Sequence, residues 1–367
     1  MSIKLNKNSK HSFFMNLALL QAQKNLGNTK ENPAVGCVIV KNNNVVSVGH
    51  TSLNGRPHAE HNAIKHSRNN TENSYLYVTL EPCSHYGKTP PCVKAIIKSK
   101  IKSVFFSLKD PDIRTFNKST KQFINNKIKV HNGILSNEVK SFYRSYFIFK
   151  KNKLPFVTAK MAVSKDFYTK NKKKKWITNK FSRGRVHLMR SNHDCVMTTS
   201  KTIIDDNPIF NCRISGLENK SPSRVILDKK LKIPLRCNIT KTSGKYKTII
   251  FFNKIIPKKI KALKKLNIKL IRFPLNENGD FILKNILIKI KSLGYSRIFL
   301  ESGLNLTTNF LNKNLVNDFK LFISNKNIAR SGSNSFYKNI KFFLNNKTFF
   351  NEKVNLFGDK LISYKVK

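Results

Sequence analysis

Short apolar runs bounded by polar turns alternate with stretches of helical spacing along the whole chain, a pattern that predicts a mixed α/β protein. Residues 10–26 place apolar side chains at helical spacing. Residues 35–40 form a continuous apolar run of strand length, with residues 45–48 as a hairpin partner across Lys41–Asn44. A helix is predicted from His58 to Ser67, a strand over 75–80, a helix beginning near Pro91, and strands over 104–107 and 128–130. The segment Lys150–Pro155 marks a border, giving domains of residues 1–150 and 151–367. Beyond it the pattern predicts strands over 156–163, 195–199, 224–228, 248–252, 268–273, 297–301 and 319–324, with helices over 179–192, 258–266 and 281–292. Strands are also expected in the lysine-, asparagine- and phenylalanine-rich residues 325–367.

Composition changes this picture in two places. With 40% hydrophobic residues in 367, each half has enough apolar material for its own core, and no run is long enough to span a membrane. Residues 13–20 look superficially like a signal segment, but Asn16 interrupts them and Gln21, Gln23 and Lys24 follow, which favours an amphipathic first helix. The net charge of +51 invites a nucleic-acid partner. The charge is spread along the chain, however, and accompanies heavy use of Lys, Asn, Ile and Phe, so compositional drift is favoured and nucleic-acid binding is not expected. Six cysteines in a chain of this length do not form a disulfide scaffold, and the metal chemistry below needs them reduced, which points to the cytoplasm.

The densest chemistry lies in residues 58–92. His58-Ala59-Glu60 is followed by Pro82-Cys83 and then Cys92. One imidazole and two thiolates suit zinc and leave its fourth position for water, while Glu60 is placed to shuttle protons. This is the pattern of hydrolytic removal of an exocyclic amine. A closed structural site is the alternative and would need a fourth ligand, His61 or His85, but it has no use for Glu60. With Cys83 and Cys92 near helix N-termini, both thiolates are expected to be stabilised there. Cys37 reads as a small core residue, and Cys195, Cys212 and Cys237 show no ligand spacing. The basic charge also keeps an RNA-directed base deaminase as an alternative, although the eight-residue gap between Cys83 and Cys92 differs from the short C-x-x-C of those enzymes.

Leu80-Glu81-Pro82-Cys83-Ser84-His85-Tyr86-Gly87-Lys88-Thr89-Pro90-Pro91-Cys92, with Asn32-Pro33-Ala34-Val35-Gly36 and His58-Ala59-Glu60, resembles the bifunctional riboflavin-biosynthesis deaminase/reductase family. The resemblance implies an N-terminal cytidine-deaminase-like α/β/α domain followed by a dihydrofolate-reductase-like α/β domain. It implies zinc on His58, Cys83 and Cys92, with Glu60 as the catalytic proton carrier. It also implies a phosphorylated diaminopyrimidine riboside as substrate, contacted by Asn32, His85 and Lys88. Where the family has a histidine two residues after Gly49, this chain has Thr51.

For the second half the resemblance implies reduction of the ribosyl chain by NADPH. Cofactor contacts would fall on Lys160, Ala162, Trp176, Thr202, Asp206 and Gly303, and substrate contacts on Lys174, Arg190, Phe210, Arg213 and Glu301. Three departures stand out: Phe167 replaces a glycine, the loop before Trp176 is shortened to a lysine run, and Leu304-Asn305 replaces Pro-Thr. They leave a deaminase with a degraded reductase half as a further alternative. The family also implies a homo-oligomer.

Overall fold

The computed structural model describes residues 7–171, 176–328, 332–336, 340 and 344–367. Chain contacts divide it into two compact units, Met1–Lys153 and Leu154–Lys367.

Unit 1 is built on a five-stranded sheet. In chain order its elements are α1 (Lys7–Gln23), β1 (Gly36–Lys41), β2 (Asn44–His50), α2 (Ala59–His66), β3 (Tyr75–Leu80), α3 (Cys92–Lys98), β4 (Ser103–Leu108), α4 (Lys118–Asn125), β5 (Lys129–Asn132) and α5 (Ser136–Asn152). The sheet order is β2-β1-β3-β4-β5. The β1–β2 hairpin turns on Asn42 and Asn43, both with positive φ, the backbone a tight hairpin turn needs and asparagine tolerates. Strands β3, β4 and β5 run parallel, and β1 is antiparallel to β2 and β3.

Two glycines set how closely the helices lie on this sheet. A Cβ at Gly36 would stand 1.9 Å from the Ala18 carbonyl oxygen of α1, and one at Gly49 would stand 2.2 Å from that of Ala59 in α2. Close approach of α2 to β2 brings the start of that helix, with His58 as its N-cap and Glu60 in its first turn, down beside the loop that leaves β3. Cys37, Ile39, Val78, Leu80 and Phe106 form the core beneath.

Unit 2 carries a nine-stranded sheet. Its elements are β6 (Phe156–Val163), β7 (Tyr168–Asn171), α6 (Lys180–Ser191), β8 (Cys195–Thr199), α7 (Ser200–Asp206), β9 (Ser223–Leu227), α8 (Asn238–Lys241), β10 (Thr248–Phe252), α9 (Pro257–Lys265), β11 (Ile268–Arg272), α10 (Leu283–Ser292), β12 (Arg297–Glu301), α11 (Leu304–Asn312), β13 (Asp318–Ile323), β14 (Gly332–Ser335), β15 (Thr348–Asn351) and β16 (Lys360–Lys365). The order β11-β10-β9-β8-β12-β6-β13-β16-β15 is parallel up to β13, after which β16 and β15 close the edge antiparallel. Strands β7 and β14 form a separate ribbon. The central strands read as unbroken apolar runs because both faces are covered.

Helix α5 has no counterpart among the sequence expectations. Its aromatic-rich segment resembles a strand in composition, and its N-cap, Leu135, sits at φ 52° instead of offering a capping side chain. The turn after β6 holds the replaced glycine: Phe167 stands at φ 64°, a backbone conformation costly for an aromatic residue, with its ring stacked toward Phe336 at 6.2 Å.

Candidate active sites

In unit 1 the three expected zinc donors meet. His58 Nδ1 lies 3.3 Å from Cys92 Sγ and 3.5 Å from Cys83 Sγ. All three donor atoms fall within 4.8 Å of one another. Tetrahedral zinc with ordinary Zn–S and Zn–N bonds separates its donors by about 3.5 Å, so the set fits the ion. His58 Nε2 is buried without a hydrogen-bond partner, leaving Nδ1 as the nitrogen that faces the sulfurs.

The charges in the protein alone are uneven. Hydrogen bonding from Cys92, with help from His58, pulls the Cys83 thiol down to about 4. Burial pushes Cys92 well above its usual value. The expected help from a helix N-terminus reaches Cys83, whereas burial acts against it at Cys92. Cys92 opens α3, and its N–H, at the start of that helix, donates to the Cys83 sulfur at 3.3 Å. Burial also acts to lower His58, but the Cys83 hydrogen bond and the charge of Glu60 outweigh it and leave it raised. Glu60 is 3% exposed, and burial, then Cys83, lift its carboxyl to about 7. A carboxyl at that value both accepts and releases protons near neutrality.

Around these donors, Glu81 is a residue that the sequence assigned no role. Its carboxylate accepts from Ser119 Oγ (2.6 Å) and from the N–H groups of Asp110 and Asn117 (both 3.3 Å), tying residues 110–119 to the loop bearing Cys83. That segment supplies Thr115, whose hydroxyl lies 3.2 Å from His85 Nδ1. Lys88 is exposed at the tip of its loop, where Arg56 hydrogen bonds Thr89. Asn32 is half-buried beside Gly55, where a Cβ would stand 2.3 Å from its Nδ2. Thr51 is buried and binds the Asn32–Val35 loop, accepting from Val35 N–H (2.9 Å) and donating to the Pro33 carbonyl (3.2 Å). Cys37 sits in the β1 core, and His61 Nε2 is buried without a partner.

In unit 2 a second cluster forms near the C-terminal ends of parallel strands, where α/β sheets commonly take ligands. Glu301, the last residue of β12, stands opposite Lys160 of β6 in register. Arg190 from α6 grips Glu301 with two hydrogen bonds, Nε–Oε1 at 2.6 Å and Nη2–Oε2 at 3.0 Å. Burial opposes the charge on Glu301, but Arg190 outweighs it and holds the carboxyl low. Burial lowers Lys160, partly countered by Glu301. Phe210 is buried at φ 58°, with the Arg190 guanidinium 5.5 Å from its ring, so the ring backs that arginine.

The remaining expected residues lie elsewhere on the elements of unit 2 and the loops between them. Thr202 and Asp206 lie on α7, and Asp206 is close enough to act on the charge of Lys160. Ala162 is half-buried on β6. Trp176 is 58% exposed, with the Arg183 guanidinium 4.8 Å from its ring. Gly303 is the N-cap of α11; its φ of −65° suits any residue, and a Cβ there would meet nothing within 4 Å. Its smallness therefore leaves open space before a helix N-terminus instead of relieving the backbone. Lys174 lies outside the described residues.

Comparison with known proteins separates the same two regions. Residues 8–108 match the cytidine and deoxycytidylate deaminase zinc-binding region, and residues 155–329 match the RibD C-terminal domain. The riboflavin biosynthesis protein RibD of Actinobacillus pleuropneumoniae is 33% identical over 316 residues, covering 85% of this chain and 83% of that protein. The protein of the same name from Buchnera aphidicola is 31% identical, covering 92% and 91%. The solved diaminohydroxyphosphoribosylaminopyrimidine deaminase/5-amino-6-(5-phosphoribosylamino)uracil reductase of Thermotoga maritima superposes with a TM-score of 0.83 at 27% identity, covering 98% of this chain and 99% of that one.

Proposed function

The chain belongs to the RibD family of riboflavin biosynthesis, and from that premise we propose how its residues divide the work. It is a bifunctional enzyme with a zinc-dependent deaminase unit and an NADPH-dependent reductase unit. The substrate of the first unit is 2,5-diamino-6-ribosylamino-4(3H)-pyrimidinone 5′-phosphate. The second unit reduces the ribosyl chain of the deaminated product to ribityl.

His58, Cys83 and Cys92 would hold zinc, which would supply Lewis acidity for activating water. Glu60 takes the proton that this water loses and passes one to the departing amine, so water enters, the ring carbon becomes a carbonyl and ammonia leaves. Its buried position in the first turn of α2, two residues from His58, is the observation that best supports this role. Asn32 orients the pyrimidine, while His85 and Lys88 face the ribose phosphate. In unit 2, bound NADPH supplies the hydride. Arg190 and Arg213 bind the sugar phosphate, Phe210 and Glu301 contact the substrate and also hold Arg190 in place, and Lys174 adds charge. Lys160, Ala162, Trp176, Thr202, Asp206 and Gly303 line the cofactor side.

The partners are then small phosphorylated pyrimidines, with no nucleic acid, in a cytoplasmic homo-oligomer. Among the described residues no helix is long and apolar enough to cross a membrane. The deciding experiment supplies the diaminopyrimidine ribosyl phosphate to zinc-loaded protein, records ammonia, then adds NADPH and follows its oxidation. Ammonia without NADPH consumption would leave a deaminase with a decayed reductase unit. No ammonia from zinc-loaded protein would overturn the substrate.

A further inference from the structure

We propose that Asn211 is a positioning residue for the sugar-phosphate end of the reductase substrate, holding Arg190 by its backbone carbonyl and Arg213 by its side-chain amide. The inference rests on the assignment of those two arginines to substrate binding.

Asn211 is 8% exposed and lies on the stretch that follows α7. Its carbonyl oxygen accepts from Arg190 Nη1 at 3.1 Å and lies 2.9 Å from His187 Nδ1. Its Oδ1 accepts from Arg213 Nη1 at 3.3 Å, and its Nδ2 donates to the Tyr246 hydroxyl at 3.1 Å. Arginine has donors only, so the amide must turn its oxygen toward Arg213 and its nitrogen toward Tyr246. One residue thus joins both arginines to a fixed point, Arg190 through its backbone carbonyl and Arg213 through its side chain.

That fixed point is firmly built. Arg224, 1% exposed, donates to the Tyr246 carbonyl at 3.0 Å and to the Ile209 carbonyl at 3.3 Å, with its guanidinium 5.4 Å from the Tyr246 ring. The loop holding Asn211 is therefore gripped two residues upstream as well as through its own amide.

The acceptor offered to Arg213 is neutral, and that decides the chemistry. Arg190 already has a carboxylate partner in Glu301, whereas the amide of Asn211 aims Arg213 without cancelling its charge. Burial and the neighbouring Arg190 both act against the charge on Arg213, a pairing of like charges that a phosphate dianion would relieve. Asn211→Ala removes the aim and keeps the charge. Asn211→Asp keeps an acceptor in place and neutralises the charge. Both should weaken sugar-phosphate binding, for different reasons.

The test is calorimetric titration of the full-length protein with ribose 5-phosphate, paired with NADPH-oxidation kinetics on the deaminated substrate with and without its 5′-phosphate. Asn211→Ala and Asn211→Asp are expected to weaken ribose 5-phosphate binding about tenfold, with a larger change in KM than in kcat. The KM penalty is expected to vanish on the unphosphorylated substrate, which a general loss of structure would not produce. Combining Asn211→Ala with Arg213→Ala is expected to weaken binding no further than Arg213→Ala alone. Tyr246→Phe, which removes one hydroxyl, gives a milder version of the same pattern if Asn211→Ala fails to fold. Unchanged affinity in Asn211→Ala, or full additivity with Arg213→Ala, overturns the positioning role while the reductase assignment stands. A wild-type protein that neither binds ribose 5-phosphate nor oxidises NADPH overturns both.

Discussion

Arg190 and Glu301, 111 residues apart in the chain, meet in a two-pronged ion pair whose side chains are only 12% and 7% exposed. A buried pair of this kind is most sensitive to losing one member, because the other is stranded. Glu301→Ala is expected to cost unit 2 about 3–5 kcal/mol, and Arg190→Leu combined with Glu301→Leu to recover much of it. Trp176 is the sole tryptophan, so urea unfolding followed by its fluorescence reports on unit 2. A double variant less stable than either single one would contradict this account.

Glu60→Gln keeps the shape of the side chain and removes its ability to carry protons. Ammonia release is expected to fall at least 10²-fold, about the contribution of a positioned acid–base group, while bound zinc stays at one ion per chain. Elemental analysis beside the rate measurement separates this from metal loss, and zinc loss in the variant would count against the proton-carrier role.

A chelator that strips zinc is expected to abolish ammonia release and to leave NADPH oxidation intact when separately deaminated product is supplied. The zinc donors all belong to unit 1 and the arginine–glutamate cluster to unit 2. Loss of both activities on chelation would show that the metal also supports the reductase unit.

Phe167 offers a test whose sign depends on one backbone angle. At φ 64° glycine is relaxed, and a side chain costs about 1–2 kcal/mol. Phe167→Gly loses ring packing but gains that relief, while Phe167→Ala loses packing and keeps the strain. Glycine is therefore expected to be the milder substitution by about 1 kcal/mol, the reverse of the usual order. Urea midpoints of the two variants decide it.

Acid should loosen unit 2. Burial lowers His193 from 6.5 to about 3 and His187, with Arg190 adding to the effect, to about 4. Both are then neutral in the folded state. Above pH 6.5 neither contributes, and below it the unfolded chain binds protons that the folded one refuses, so stability falls as pH drops from 6.5 toward 4. Tryptophan-monitored urea midpoints at pH 8, 6 and 5 should decline, with a shallower slope in His193→Gln. A midpoint that rises over this range would show that these histidines are not buried neutral.

The zinc donors were legible in the sequence because zinc chemistry demands particular residue types and spacings, and β1 and β3 because continuous apolar runs suit strands covered on both faces. The surroundings were less so. Glu81 stood inside the quoted motif, but its role depends on a loop some 30 residues later, as the 3.3 Å bond from Asp110 N–H shows. The opposition of Lys160 and Glu301 is a matter of strand register, and Asn211 meets Tyr246 across 35 residues. Helix α5 was hidden by its aromatic content and uncapped start. For Glu81, Lys160 and Asn211 the deciding partner lies far along the chain, where local pattern carries no signal.

The acidic residues carry a last consequence. This chain has 70 basic residues and 19 acidic ones. Glu60, Glu81, Asp228, Glu301 and Asp359 are nonetheless buried, each engaged by thiol, hydroxyl, guanidinium or backbone N–H groups. A lysine can take over an exposed position at little cost, but at these five it would bury a cation among groups arranged to donate to a carboxylate. The accumulation of positive charge thus has a floor set by the interior, and a mutational scan toward lysine should find these positions among its least forgiving.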